Sequence, residues 1–280
     1  MYMGTRCGRA ILLGMLILSS CLAWSQGARP QHAHVSLISD ASSFKAGTSP
    51  VIGLRFQLDP GWHIYWKNPG DSGEPPKIAW KLPKGIQAGS LHFPIPHRIQ
   101  DHGLTDFGYE GDVVLLTTLT VGEGFASNQA QIAGDVRYLV CREVCIPGKD
   151  TVTLSSSTAE NAVLIRNAKS RLPQPMPAKM HVSAAVDSDK VTLRITGPTS
   201  ILQRVTDFIP AEPQIVENST KPAIKLLPGA LSIRLKKSEQ LAHPISELRG
   251  LLIAEDRAYE VQVRTVSDSS SSSASKAKRK

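Results

Sequence analysis

Short apolar runs, cut apart by glycine, proline, aspartate and serine, constrain this chain more than any other feature. Residues 34–37, 51–58, 77–80, 113–121, 131–140 and 151–154 are each rich in Val, Ile, Leu or Thr. Residues 51–58 alternate, which places Ile52, Leu54, Phe56 and Leu58 on one face of a strand. Many short strands with turn signals between them predict an all-β chain built as β-sandwiches. The pattern breaks over residues 157–172. There Ser157 or Thr158 can cap a helix, Glu160 lies in its first turn, and Leu164, Ala168 and Leu172 recur at four-residue spacing. Pro173, Pro175 and Pro177 then stop it. The strand pattern resumes over residues 181–266, most clearly at 191–195, 231–235 and 259–263. The expected organisation is a first sandwich over residues 30–156, a short helix and Pro-rich linker over 157–180, and a second, smaller sandwich over 181–266. Residues 267–280 are Ser-rich, then basic, and are expected to be disordered.

The first 25 residues read as an export signal. Arg6 and Arg9 precede a short uncharged run over residues 10–18, followed by small and polar residues. The run falls short of the roughly 20 residues a membrane span needs. Ala23-Trp24-Ser25 offers a cleavage site before Gln26, while Leu18-Ser19-Ser20-Cys21 offers a lipoprotein signal with a lipid anchor at Cys21. Either route leads out of the cytoplasm, to a compartment where disulfides can form. The formal charge of +8 is concentrated at the ends, in Arg6 and Arg9 and in Lys276, Lys278, Arg279 and Lys280. The remainder is only mildly basic and has no basic stripe interleaved with aromatics, which argues against nucleic-acid binding.

Of four cysteines, Cys7 and Cys21 fall in the export signal, leaving Cys141 and Cys145 for the exported part. On one extended strand they would lie about 13 Å apart at roughly 3.3 Å per residue. A disulfide needs Cα atoms within about 7 Å. A bond between them therefore requires the chain to turn in Arg142-Glu143-Val144, with Pro147 and Gly148 adding turn character beyond. The pair then sits at the head of a hairpin, near the surface. Closing so short a loop stabilises a fold by only about 2 kcal/mol, against about 3 for a fifteen-residue loop. A short, exposed disulfide suits exchange better than reinforcement. Arg142, with Arg137 or Lys149, favours a thiolate, and Glu143 opposes it.

Redox exchange, a structural staple and a metal site all remain open from spacing. Two thiolates with histidine suit zinc or copper(I), which makes copper binding or delivery a second reading. His92, His97 and His102 recur at five-residue intervals, and His32 and His34 form His-x-His. That spacing fits no standard finger. A third reading is a binding scaffold that keeps its cysteines only as a staple.

Further segments carry a resemblance. Gly61-Trp62-His63-Ile64-Tyr65-Trp66-Lys67-Asn68-Pro69-Gly70-Asp71-Ser72-Gly73 is similar to a signature of DsbD/ScsB-type N-terminal periplasmic domains. So are Trp80-x-Leu82-Pro83-x-Gly85, Phe93-Pro94-x-Pro96, Phe107-Gly108-Tyr109-Glu110-Gly111 and Tyr138-Leu139-Val140-Cys141-x3-Cys145-x-Pro147. Their order also fits, over about residues 35–155. The second half resembles the ScsB type more loosely, through Phe208-Ile209-Pro210 and residues 248–252. The resemblance implies an immunoglobulin-like domain and a thiol–disulfide oxidoreductase of the protein-disulfide reductase type, with no cofactor. It implies that Cys141 and Cys145 are the redox pair, with Cys145 attacking and Cys141 resolving. It implies an aromatic cap, for which Phe107 and Tyr109 are the candidates. Trp62, Tyr65, Trp66 and Asp71 are candidates for partner contact, with core, loop and turn roles as the alternative. The implied partners are a membrane-embedded thiol electron donor and periplasmic disulfide-containing or thioredoxin-like proteins. Family members usually continue into membrane and thioredoxin-like domains. This sequence shows neither, so the donor is expected on a separate chain.

Overall fold

In the computed structural model the described residues are 31–41, 43–101, 103–125, 131–155 and 157–267. The segment read as an export signal, with Cys7 and Cys21, lies outside them, as do His102 and the tail beyond residue 267.

The first half contains β1 (Ala33–Ser39), β2 (Val51–Leu58), β3 (His63–Gly70), β4 (Lys77–Lys81) and β5 (Ile86–Ala88). It continues with β6 (His97–Asp101), β7 (Leu104–Glu110), β8 (Asp112–Val121), β9 (Ala133–Cys141) and β10 (Cys145–Thr153). One sheet runs β1-β2-β8-β5 and the other β10-β9-β3-β7-β6, with β4 also pairing β9. Their inner faces share one core. Leu37, Ile52, Leu54, Phe56 and Leu115 come from the first sheet, and Ile64, Trp66, Phe107, Val136 and Val140 from the second. The alternation read in β2 is real: Ile52, Leu54 and Phe56 are fully buried and Gln57 faces water. This is an immunoglobulin-like sandwich, held by burial of two alternating faces.

Helix α1 (Ala159–Ser170) covers the back of the first sheet. Thr158 caps it, its hydroxyl accepting from the Asn161 amide at 3.1 Å. Ile165 and Ala168 pack on Ile38, Val114 and Leu116. Gly53 lies under this contact, where a Cβ would come 2.6 Å from Val114 Cγ1. The Pro-rich stretch after the helix is not a free spacer. Its residues form β11 (Gln174–Pro175), which pairs in parallel with Tyr259 and Glu260.

The second half contains β12 (His181–Val186), β13 (Lys190–Thr196), the short α2 (Thr199–Leu202), β14 (Val205–Pro210) and β15 (Ala223–Leu227). β16 (Ala230–Lys236), β17 (Glu247–Ala254) and β18 (Arg257–Ser267) complete it. The strand order is β14-β17-β18-β12-β13-β16-β15. β18 serves both sides of the fold: it pairs antiparallel with β17 over Arg257–Arg264 and in parallel with β12 over Thr265–Ser267. Val191, Leu193, Ile195, Phe208, Ile233 and Leu252 fill its core.

The halves share a seam. Ile209, Leu251 and Ala258 belong to the first core. Across it, the Arg98 guanidinium grips Asp207 at 2.6 and 3.1 Å and donates to the Asn218 carbonyl at 2.8 Å. Asn68, fully buried, donates to the carbonyls of Pro210 at 2.9 Å and Glu212 at 3.2 Å.

Candidate functional site

β9 ends at Cys141 and β10 begins at Cys145, so the two cysteines face each other as the last pair of an antiparallel ladder. Their Cα atoms are 4.2 Å apart and they form a disulfide. That distance is close to the ~4.5 Å of a directly opposed, non-hydrogen-bonded pair. Arg142, Glu143 and Val144 make the reversal, with the Arg142 amide donating to the Val144 carbonyl at 3.2 Å. The turn that the cysteine spacing demands is therefore present. β10 starts earlier than its apolar run indicates. Pro147 is tolerated because β10 is an edge strand, and Gly148 leaves the space that the Tyr138 ring occupies.

The two sulfurs have different surroundings. Cys141 is 2% exposed, whereas Cys145 is exposed and follows Val144, which is 63% exposed. Alternation fixes the face: Val136, Tyr138 and Val140 point into the core, so Cys141 and Cys145 lie on the outer face of their sheet. On that face the Tyr65 hydroxyl lies 3.5 Å from Cys145 Sγ. A disulfide sulfur carries no proton, so the hydroxyl is the donor. The Tyr65 ring is fully buried, covered by the turn through Gly73, where a Cβ would come 2.1 Å from Tyr65 Cζ. Gly73 has φ +79°, which also favours glycine.

His63 pairs with Cys141 along the backbone, and its ring meets Tyr65 edge-on at 5.2 Å. Its Nε2 is 3.9 Å from Asp106 Oδ2, both side chains being buried. Asp106 accepts from the Ser72 amide at 2.9 Å and the Ser72 hydroxyl at 2.8 Å. Burial nevertheless raises its carboxyl above the usual carboxylate range. The neighbouring Asp71 accepts from the Thr105 amide and from the Asn218 side chain, both at 2.8 Å.

The site candidates thus divide. Cys141, Cys145 and Tyr65 come together, and Trp62 joins them at the turn, where the Arg142 guanidinium lies 5.6 Å from its ring centre and His32 stacks on it. Phe107 and Tyr109 do not join them. They share the inner face with Ile64 and Trp66, opposite the disulfide; Phe107 packs on Trp66, and the Tyr109 hydroxyl donates to the Pro94 carbonyl. The aromatic beside the sulfur is Tyr65. Asp71 is a structural acceptor that ties its turn to both halves. His63, Asp106 and Ser72 escape sequence reasoning, although His63 and Tyr65 two positions apart signal one face of a strand. Among the described residues no three His, Cys, Asp or Glu side chains group as a metal site.

An immunoglobulin-like domain with a disulfide closing the end of an edge hairpin defines a class of β-domain suited to thiol–disulfide interchange. The comparisons place the segment within it: residues 35–157 match the family described as thiol:disulfide interchange protein DsbD, N-terminal, and form a domain of that family. A crystal structure of the N-terminal periplasmic domain of ScsB from Proteus mirabilis superimposes with TM-score 0.63 at 21% identity, over 84% of this chain and 93% of that one. The shared fold thus extends through the second half. BcpA, the major pilin subunit of Bacillus cereus, aligns over 84% of this chain and 69% of its own, at 7% identity and TM-score 0.28, too low to carry an argument. No curated protein sequence matches significantly. Among the described residues no helix is long and apolar enough to cross a membrane.

Proposed function

We propose that this protein is a periplasmic thiol–disulfide exchange protein that passes electrons through the Cys141/Cys145 dithiol to the disulfides of partner proteins. The asymmetry of the pair carries this reading: an exposed Cys145 joined to a buried Cys141, at the open end of a hairpin. In the reduced protein the Cys145 thiolate attacks one sulfur of the partner disulfide. A Cys145–partner mixed disulfide forms and the partner's other sulfur leaves as a thiolate. Cys141, held opposite by the ladder, then attacks the Cys145 sulfur. The Cys141–Cys145 bond reforms and the second partner sulfur leaves. Two electrons have passed to the partner, and its two thiolates take up the two protons the dithiol released. Tyr65 donates to the Cys145 sulfur throughout. A membrane-embedded thiol donor restores the dithiol by the reverse sequence, and periplasmic disulfide-containing or thioredoxin-like proteins accept its electrons. Export uses the leader, by cleavage before Gln26 or by lipidation of Cys21; the mass of the mature N-terminus distinguishes them.

The test is a trap. Cys141→Ala leaves Cys145 free to attack but without its resolving partner, so mixed disulfides accumulate in the periplasm. Cys145→Ala leaves only the buried thiol and captures far less. Equal capture by both variants contradicts the assignment of roles. A reduction potential well below about −300 mV, with no captured partner, identifies a structural bond instead.

A further inference from the structure

The outer face of β4, β9 and β10 forms a ladder of rungs leading away from the disulfide. The first rung is Cys141–Cys145 and the second is Leu139–Pro147, an apolar pair. The third is Lys77–Arg137–Lys149, three cations directly opposite one another on three adjacent strands. All three are exposed. Strand alternation puts them on the same face as Cys145, and Lys149 lies about 13 Å along β10 from it.

Like charges directly opposite each other destabilise a sheet, and little on this face offsets them. Asp135, on the next rung, is engaged by Lys81 at 2.7 Å and by the Thr151 hydroxyl at 2.8 Å, and is only a weaker electrostatic neighbour of Lys149. Glu143 pairs with Arg142 in the turn. Lys77 has Glu74 at 3.2 Å, with both side chains largely in water. Among the described residues neither Arg137 nor Lys149 has an ion-pair partner. Sequence scanning does not find this row, because residues 77, 137 and 149 meet only through strand register.

We propose that this face is the docking surface for the redox partner, and that the partner is a protein carrying carboxylates beside its reactive disulfide. The inference rests on the exchange function proposed above and names the partner's chemistry. With the partner's sulfur at Cys145, the Leu139–Pro147 rung meets an apolar contact and the cationic rung meets the carboxylates. Charge complementarity of this kind acts chiefly on the rate of productive encounter.

The experiment uses the reduced protein and three disulfide probes. One is the neutral 2-hydroxyethyl disulfide. The others are two short peptides, each joined through its cysteine to 2-mercaptoethanol, identical except that one carries Asp and the other Lys beyond the cysteine. At low ionic strength the Asp peptide should react on the order of tenfold faster than the Lys peptide. About 0.5 M salt should bring the ratio towards one. Arg137→Glu/Lys149→Glu should invert it, and because a ratio is read, a change in the amount of folded protein does not mimic this. Equal rates for the two peptides, or an unchanged ratio in the charge-reversed variant, overturn the docking surface while leaving exchange intact. Failure of the wild-type dithiol to exchange with the neutral disulfide overturns the exchange function, and the docking surface with it.

Discussion

At the residue scale the site is set by what surrounds each sulfur. The Tyr65 hydroxyl lies at the Cys145 sulfur, and hydrogen bonding to a charged form favours that form. Tyr65→Phe should therefore slow alkylation of the reduced protein at neutral pH several-fold, as read by iodoacetamide kinetics, with little loss of folded structure. Gly73→Ala acts on the same ring by force. Its Cβ would overlap Tyr65 and its backbone would be strained at φ +79°. A destabilisation of about 1–3 kcal/mol is expected in chemical denaturation. Asp106 gives a pH signature. Burial holds its folded-state carboxyl above the ordinary value of 3.8, so the folded protein keeps this proton after the unfolded chain has lost it. The group's contribution to stability therefore falls as pH rises from about the ordinary value through the raised one, and Asp106→Asn should remove that slope from a pH series of melting curves. The cysteines were legible because two of them stand alone, four apart, outside the segment that reads as an export signal. Tyr65 was legible only as part of an aromatic-rich segment. His63 and Asp106 were not, since their proximity depends on the pairing of β3 with β7.

At the element scale, legibility followed one-sided burial. β2 alternates because one face meets the core, and its bounds match its apolar run. β3 and β7 are buried on both faces over much of their length, so neither alternates and neither stands out as an apolar run. Of their outward residues, Tyr65 and Asp106 are covered by the turn at residues 71–73 and His63 lies against both, so the property that hides the strands also builds the site. The helix was legible from its cap and spacing, but its role was not. It closes the back of a sheet. Thr158→Ala should cost about 1 kcal/mol, measured by urea unfolding, because the Asn161 amide loses its acceptor.

At the scale of the whole molecule, the seam makes the second half part of the environment of the first. Arg98 and Asp207 are mostly buried and their geometry is bidentate. Removing one partner strands the other, so Arg98→Met should destabilise the protein by about 3 kcal/mol in guanidinium unfolding. The Arg98→Met/Asp207→Leu pair should recover part of that loss. Residues 98 and 207 meet across the two halves, which no local pattern announces. β18 has a consequence for the order in which the protein assembles. All the strands of the disulfide-bearing sandwich lie before residue 155, whereas β11, β12 and β17 all wait for residues 257–267. A chain emerging N-terminus first can thus complete the redox sandwich while the second half still lacks the strand that joins its two sides. During that interval the surface awaiting Ile209, Leu251 and Ala258 is open, so the first half carries an exposed apolar seam until the last strand arrives.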